Sequence, residues 1–346
     1  MLSSKTVFIV GAGASQEVGM PIGWELRDII AQKLHMRFGP GNKFTGQGDT
    51  NILDRLHFEY GDALNSYLDA CALINGGIGF SASIDDFIDI HRADPKVAVC
   101  GKLAIAASIL EKERQSKLYV DPSNIHNTLD ISSIQSTWYM AFLRTLGNQV
   151  PKGELGTLFA NVTIICFNYD RCVEHFLVHA IAKQYGIKRE EAQSLVAKLR
   201  MFRPYGSVGD YFRDVPFGGV PFGSANLPPL NEVISSLRTY TEQVEDKATL
   251  QAMKGAVLSA KTLVFLGSAF HANNMALLAP PANSHNESKR IFATREGISD
   301  PDLARVHYAL SILNGVDPPR EAPDSRNFFA PKCHDLFDEY KLSLRA

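Results

Sequence analysis

The chain predicts an α/β fold, with a parallel sheet covered by helices on both faces, and three observations carry that prediction. Thr6-Val7-Phe8-Ile9-Val10 is a short apolar run that ends in Gly11-Ala12-Gly13-Ala14-Ser15 and enters a helix-like segment. Four more runs, Val162 to Phe167, Leu199 to Phe202, Thr262 to Leu266 and Arg290 to Ala293, are nearly continuous in apolar character. That pattern suits strands buried on both faces, as in a parallel sheet, better than alternating half-exposed strands. About 150 residues separate the first two runs, far more than one crossover helix needs. This length calls for an inserted subdomain on what is otherwise a Rossmann-like framework.

The elements follow in order. After the first strand, glycines at 11 and 13 let the backbone turn sharply and approach a pyrophosphate without a Cβ in the way, and amides at a helix start can donate to its oxygens. Gln16 stands where the dinucleotide fingerprint places its third glycine, so the motif by itself serves equally as a tight strand-to-helix turn. Helical patterns cover Gly23 to Phe38, Ile52 to Cys71, Ser83 to His91, Lys96 to Lys117 and Ser132 to Leu146, with breaks at Gly39 to Gly48 and Gly76-Gly77. A mostly helical insertion over residues 23–150, lying over the nucleotide edge, is the expectation. Ser83 and Asp86 make a capping-box-like start, and Ile84, Phe87 and Ile88 form a buried stripe behind it. Beyond the second strand, Val173, Phe176, Leu177, Ala180 and Ile181 share one helical face, which puts Asp170 at a helix start, where a carboxylate is favourable.

The residues just after each predicted strand are Gly11, Asn168, Arg203 with Gly206, Gly267 with Ser268, and Thr294. Open α/β sheets bind ligands beyond the carboxyl ends of their strands, so these residues converge on one edge. From Pro204 to Pro229 glycines and prolines exclude a helix, and Val215-Pro216-Phe217-Gly218 is echoed by Val220-Pro221-Phe222-Gly223. Residues 204–229 read either as a turn-rich connection or as a lid or assembly contact. The second reading rests on Tyr211, Phe212, Phe217 and Phe222, aromatic groups in a turn-rich loop.

Composition is that of an ordinary globular chain: 346 residues, 45% hydrophobic and 21% charged. A net charge of -2 without a Lys/Arg run argues against a nucleic-acid surface. Cys71, Cys100, Cys166, Cys172 and Cys333 are scattered and contain no CxxC pair, so neither a disulfide framework nor a zinc module is expected. His175 and His179 sit i, i+4 after the second strand, but no third ligand is signalled and no metal is expected; a solvated or capping pair is the plainer reading. The apolar start is too short for a signal peptide and no window approaches the ~20 residues of a membrane span, so a cytoplasmic location is expected.

Gly11 to Ser15 followed by Gly19-Met20-Pro21 resembles the glycine loop of the sirtuin family. The continuation Ile22-Gly23-Trp24-Glu25-Leu26 is similar not to the deacetylase branch, which also carries a four-cysteine zinc module, but to the bacterial sirtuin-like branch that cleaves NAD in antiphage defence. The resemblance continues through Ser83-Ile84-Asp85-Asp86-Phe87, Phe167-Asn168-Tyr169-Asp170, Pro204-Tyr205-Gly206-Ser207-Val208-Gly209, Val264-Phe265-Leu266-Gly267-Ser268 with Asn274-Met275, and Ala293-Thr294 to Gly297. It implies one NAD-binding domain over residues 1–346. Gly11, Ala12, Gly13, Ser15, Pro21, Asn168, Gly267, Ser268 and Thr294 would contact NAD, and Asn168 and Asp170 would be catalytic. The family's histidine position falls on Arg203, or on Tyr205 in the other register, and neither is histidine. Arginine cannot serve as a base near neutral pH. His271, after Gly267-Ser268, is a substitute base to consider. The resemblance implies an NAD glycohydrolase releasing nicotinamide and ADP-ribose, regulated as a homo-oligomer or by a partner such as a translocase ATPase. The alternative is a catalytically impaired scaffold that binds NAD or ADP-ribose.

Overall fold

The computed structural model describes residues 2–42, 44–124, 127–213, 219–239, 242, 246–280, 288–314 and 327–344. Val215 to Gly218, and with them Phe217, lie outside the described residues. The elements run β1 (Thr6–Val10), α1 (Ala12–Gln16), α2 (Gly23–Lys33), α3 (Thr50–Tyr60), α4 (Leu64–Gly77), α5 (Ile84–Ile90), α6 (Pro95–Gln115), α7 (Ile131–Ile134), α8 (Trp138–Leu146) and β2 (Val162–Cys166). They continue with α9 (Cys172–Tyr185), α10 (Arg189–Val196), β3 (Arg200–Phe202), α11 (Leu230–Ser236), α12 (Lys247–Ser259), β4 (Thr262–Leu266), α13 (Ala272–Leu278), β5 (Arg290–Thr294), α14 (Asp300–Asn314), β6 (Asn327–Ala330) and α15 (Cys333–Glu339).

The six strands form one parallel sheet in the order β3-β2-β1-β4-β5-β6, with Val10 opposite Cys166 on one side and Leu266 on the other. This is an α/β, Rossmann-like sheet, and the order reverses at β1, between β2 and β4. Alternation of side chains along each strand divides the core in two. Phe8, Val10, Ile164, Val264 and Phe292 pack with α8, α9, α15 and the inserted helices. Val7, Ile9, Ile165, Leu263 and Phe265 pack with α12, α13 and α14. Helices therefore cover both faces, which is why the strands read as continuous apolar runs.

The five predicted strands are present, with β2 ending one residue earlier, β3 starting one residue later and β5 ending one residue later, at Thr294, than the apolar runs. The sixth, β6, has only four residues, Asn-Phe-Phe-Ala, too short for its pattern to register. The stretch predicted as one helix over Ile52 to Cys71 is two, because Gly61 takes φ 44 and closes α3. The pattern over Ser132 to Leu146 also divides, because the Glu17 carboxylate accepts from the Trp138 backbone N–H and starts α8 afresh. The same carboxylate accepts from the His334 backbone N–H in the first turn of α15, so Glu17 satisfies two helix amino termini; burial nonetheless raises its pKa. Within the insertion, α6 is the central element, with Leu103 to Leu110 buried throughout and α2, α3, α4 and α5 packed around it.

Candidate functional site

The carboxyl edge of the sheet begins with backbone packed on backbone. Gly13 N–H donates to the Gly267 carbonyl at 3.1 Å, and Gly11 N–H to the Leu266 carbonyl at 2.9 Å. A Cβ on Gly11 would stand 2.6 Å from the Gly267 oxygen, and one on Gly267, whose φ is +58, would stand 1.9 Å from the Ala14 nitrogen. The β1 and β4 loops thus need glycine for their own crossing, independently of any ligand. Thr294, at the end of β5, completes this floor: its Oγ1 accepts from Gly267 N–H at 2.8 Å. Ser268 is half-buried and its hydroxyl accepts from Phe270 N–H at 3.2 Å. Phe270 takes φ 51, a conformation uncommon for an aromatic residue and often found near functional sites.

Above this floor lies a closed polar network. Asn168 Nδ2 donates to the Gly11 carbonyl at 3.0 Å and to Ser15 Oγ at 3.1 Å. Ser15 Oγ donates to Asp170 Oδ1 at 3.2 Å and lies 3.3 Å from the Tyr139 hydroxyl. A hydroxyl has one proton to give and two lone pairs, so Ser15 gives to Asp170 and accepts from Asn168 and Tyr139. Its capacity is filled. These bonds also fix the amide of Asn168 with Nδ2 inward, leaving Oδ1 as its remaining acceptor. Asp170 accepts in addition from Cys172 N–H at 3.1 Å, the helix-start role expected from its position. Asn168 is 6% exposed, Asp170 5% and Ser15 1%. Burial holds the Tyr139 hydroxyl well above the usual tyrosine range, so it is neutral and available as a donor.

Arg203 is brought to the same place from β3, through the backbone of Asn168. Its Nη1 donates to the Asn168 carbonyl at 2.8 Å, while Nε and Nη2 grip the Glu174 carboxylate at 2.9 and 2.6 Å. Both side chains are nearly buried, 13% and 6% exposed. Desolvation opposes the guanidinium charge, but Cys166, Glu174 and Asp170 favour it more, and the pKa is raised. Arg203 is accordingly a fixed cation that positions the Asn168 backbone. Tyr205, the other register, donates its hydroxyl proton to Asn274 Oδ1 at 2.7 Å, tying the β3 loop to α13. The acidic segment on α5 reaches the site as well: the Tyr169 hydroxyl donates to Asp85. Burial pushes the Asp85 carboxyl up to about 6, against the lowering effect of that bond. Ser83 caps α5 by accepting from Asp86 N–H at 3.1 Å.

The loop after β3 is pinned by a buried ion pair. Arg171 donates through Nε and Nη2 to Glu113 at 3.1 and 2.5 Å, and to the carbonyls of Val220 and Pro221. Gly223 N–H donates to Glu113 at 2.9 Å. Phe222 stacks on His175 with ring centroids 3.9 Å apart, and Tyr211 meets the same imidazole. The described aromatics of the loop, Tyr211, Phe212 and Phe222, therefore pack against this chain's own core. His175 and His179 are not a solvated or capping pair. His175 Nε2–H donates to the Leu118 carbonyl at 2.9 Å, so its Nδ1 accepts from the Tyr211 hydroxyl at 3.1 Å. Burial drives its pKa well down, and that of His179 to about 4. Among the described residues no group of three or more His, Cys, Asp or Glu side chains is placed to hold a metal.

The structure thus gathers Gly11, Gly13, Ser15, Asn168, Asp170, Arg203, Gly267, Ser268 and Thr294 at one edge. Ala12 opens α1, and Pro21 lies half-buried in the turn before α2, where Glu25 accepts from Ile22 N–H. His271 is exposed at the start of α13, and its ring makes no hydrogen bond among the described residues. Tyr139 and Glu174 were not anticipated. Tyr139 lies 124 residues from its partner Ser15 and belongs to no local motif. Glu174 had a readable signal, a carboxylate inside the otherwise buried turn Cys172 to Val178 of α9. A cavity of about 350 Å³ opens at the opposite, amino-terminal edge of the sheet. No known family model matches this chain, and no curated protein matches it significantly.

Proposed function

We propose that the carboxyl edge binds NAD and hydrolyses its nicotinamide–ribose bond, releasing nicotinamide and ADP-ribose. The observation that carries this reading is the Asn168–Ser15–Asp170–Tyr139 network, set directly beside the glycine crossing of β1 and β4. Cleavage of that bond develops oxocarbenium character on the ribose while nicotinamide departs neutral, so it needs orientation and fixed dipoles more than a strong acid. The free Oδ1 of Asn168 would orient a water or the substrate carboxamide, with Nδ2 anchored so that the amide cannot turn. Asp170 keeps Ser15 aligned and supplies negative charge near the developing cation. The sirtuin-like resemblance extends the proposal to a defence effector that depletes NAD, working as a homo-oligomer or with a partner such as a translocase ATPase.

A second reading, a binding scaffold with little turnover, is favoured by one observation: Arg203, where the resemblance would set the family's histidine, is locked between Glu174 and the Asn168 carbonyl. Nicotinamide release from NAD by the purified protein decides between them. Turnover that Asn168→Ala reduces by ~10² or more supports hydrolysis. Saturable NAD binding without release, with or without a partner, supports the scaffold. Absence of NAD binding overturns both.

A further inference from the structure

The amino-terminal edge of the sheet is chemically unlike the carboxyl edge. Four of its strands start at or next to basic residues: Lys5 precedes β1, Arg200 opens β3, Lys261 precedes β4, and Lys289-Arg290 lead into β5. The cavity of about 350 Å³ lies between the first two of these, and its lining includes Lys5, Lys198 and Arg200 but no carboxylate. In a chain of net charge -2 this is a local excess of positive charge. Its volume is at the small end of the ~300–1,000 Å³ range of ligand cavities. Lys5 and Lys198 enter no ion pair among the described residues. Arg200 is held in place, with its guanidinium 5.2 Å from the Phe202 ring and Nη2 donating to the Ala252 carbonyl at 3.4 Å. The wall also carries the polar residues Thr6, Asn161, Thr163 and Ser259, and its apolar part comes from Leu155 and Phe159 before β2, Leu195 on α10 and Ala256 on α12.

We propose that this cavity is a second ligand site, separate from the carboxyl edge, for a small molecule bearing a pyrophosphate or doubly charged phosphate. Three cations in a lining that holds no carboxylate suit a ligand with at least two negative charges. An oriented guanidinium offers the paired N–H groups that suit phosphate oxygens. Phe159 and Leu195 would cover the uncharged part of the ligand. The inference does not depend on what the carboxyl edge binds.

Calorimetric titration of the whole protein with inorganic pyrophosphate tests it. Saturable binding is expected, weakened roughly 10-fold or more in Lys198→Ala/Arg200→Ala, as for loss of charged hydrogen bonds, and unchanged in Asn168→Ala. No saturation in the wild type, undiminished binding in the double variant, or loss on Asn168→Ala would each overturn the proposal. Both replaced side chains are exposed, so a wild-type melting temperature is expected for the double variant. If it does not fold, Lys198→Glu alone must still weaken binding, and unchanged affinity in that variant counts against the site.

Discussion

Replacing Arg203 with methionine removes the guanidinium but keeps much of the stem's volume. It leaves the Glu174 carboxylate, 6% exposed, without its bidentate partner, and the Asn168 carbonyl without its donor. Breaking a buried ion pair by deleting one member costs about 3–5 kcal/mol, chiefly because an uncompensated charge remains in a poorly solvated place. At roughly 2.1 cal/mol/K of unfolding entropy per residue, 346 residues give about 0.7 kcal/mol/K, so the expected fall in melting temperature is about 4–7 °C. Adding Glu174→Gln removes the stranded charge, and the double variant should regain about half of the loss or more. Differential scanning calorimetry of the wild type, both single variants and the double variant gives the coupling directly. A single-variant cost under ~1 kcal/mol, or no recovery in the double variant, would refute the view that Arg203 is a buried structural cation. The same series bears on catalysis. The sirtuin-like resemblance, with a histidine expected at this position, implies that Arg203→His would raise NAD cleavage, whereas the structure adds that a shorter imidazole must replace a group holding two partners at once.

Two further predictions concern the floor and the inserted helices. Gly267→Ala should lower the melting temperature by more than Gly297→Ala. Both glycines have positive φ, +58 and +76, but only at 267 would the new Cβ strike backbone, 1.9 Å from the Ala14 nitrogen. Equal melts would mean that the β1 and β4 loops separate freely. For Asp85, burial raises the folded-state pKa to about 6 from an ordinary 3.8, so the native protein holds a proton that the unfolded chain releases between those values. Stability from this group therefore increases as pH falls from about 7 to 4, by at most ~3 kcal/mol. His179, lowered from 6.5 to about 4, acts in the opposite sense over the same window. The quantity to measure is the difference between wild type and Asp85→Asn in urea denaturation at pH 7, 6, 5 and 4. The wild type should gain on the variant as pH falls, and a constant difference would exclude an elevated Asp85.

What the sequence determined by itself was the sheet and the edge at which the candidate site residues meet. A strand buried on both faces must be apolar at nearly every position, so β1, β2, β4 and β5 are legible within a residue or so, and the residues that follow them must lie together. Asp170 at the start of α9 was legible for the same local reason, since one helical face fixes where the helix begins. The insertion was legible as helical, but its joints were not. Whether α3 and α4 are one helix depends on Gly61, and α8 begins where a carboxylate from residue 17 reaches it. Only the tertiary structure decided what the site residues do to one another. Gly13 and Gly267 constrain each other across about 250 residues of chain, and Ser15 is saturated by partners at 139, 168 and 170. By the family resemblance Arg203 stands where a histidine is expected, whereas in the fold it is the counterion of Glu174 and the support of the Asn168 backbone. Local patterns report how a segment meets water and its own backbone, whereas hydrogen-bond partnership among buried polar groups is set by which distant segments the core brings within ~3 Å.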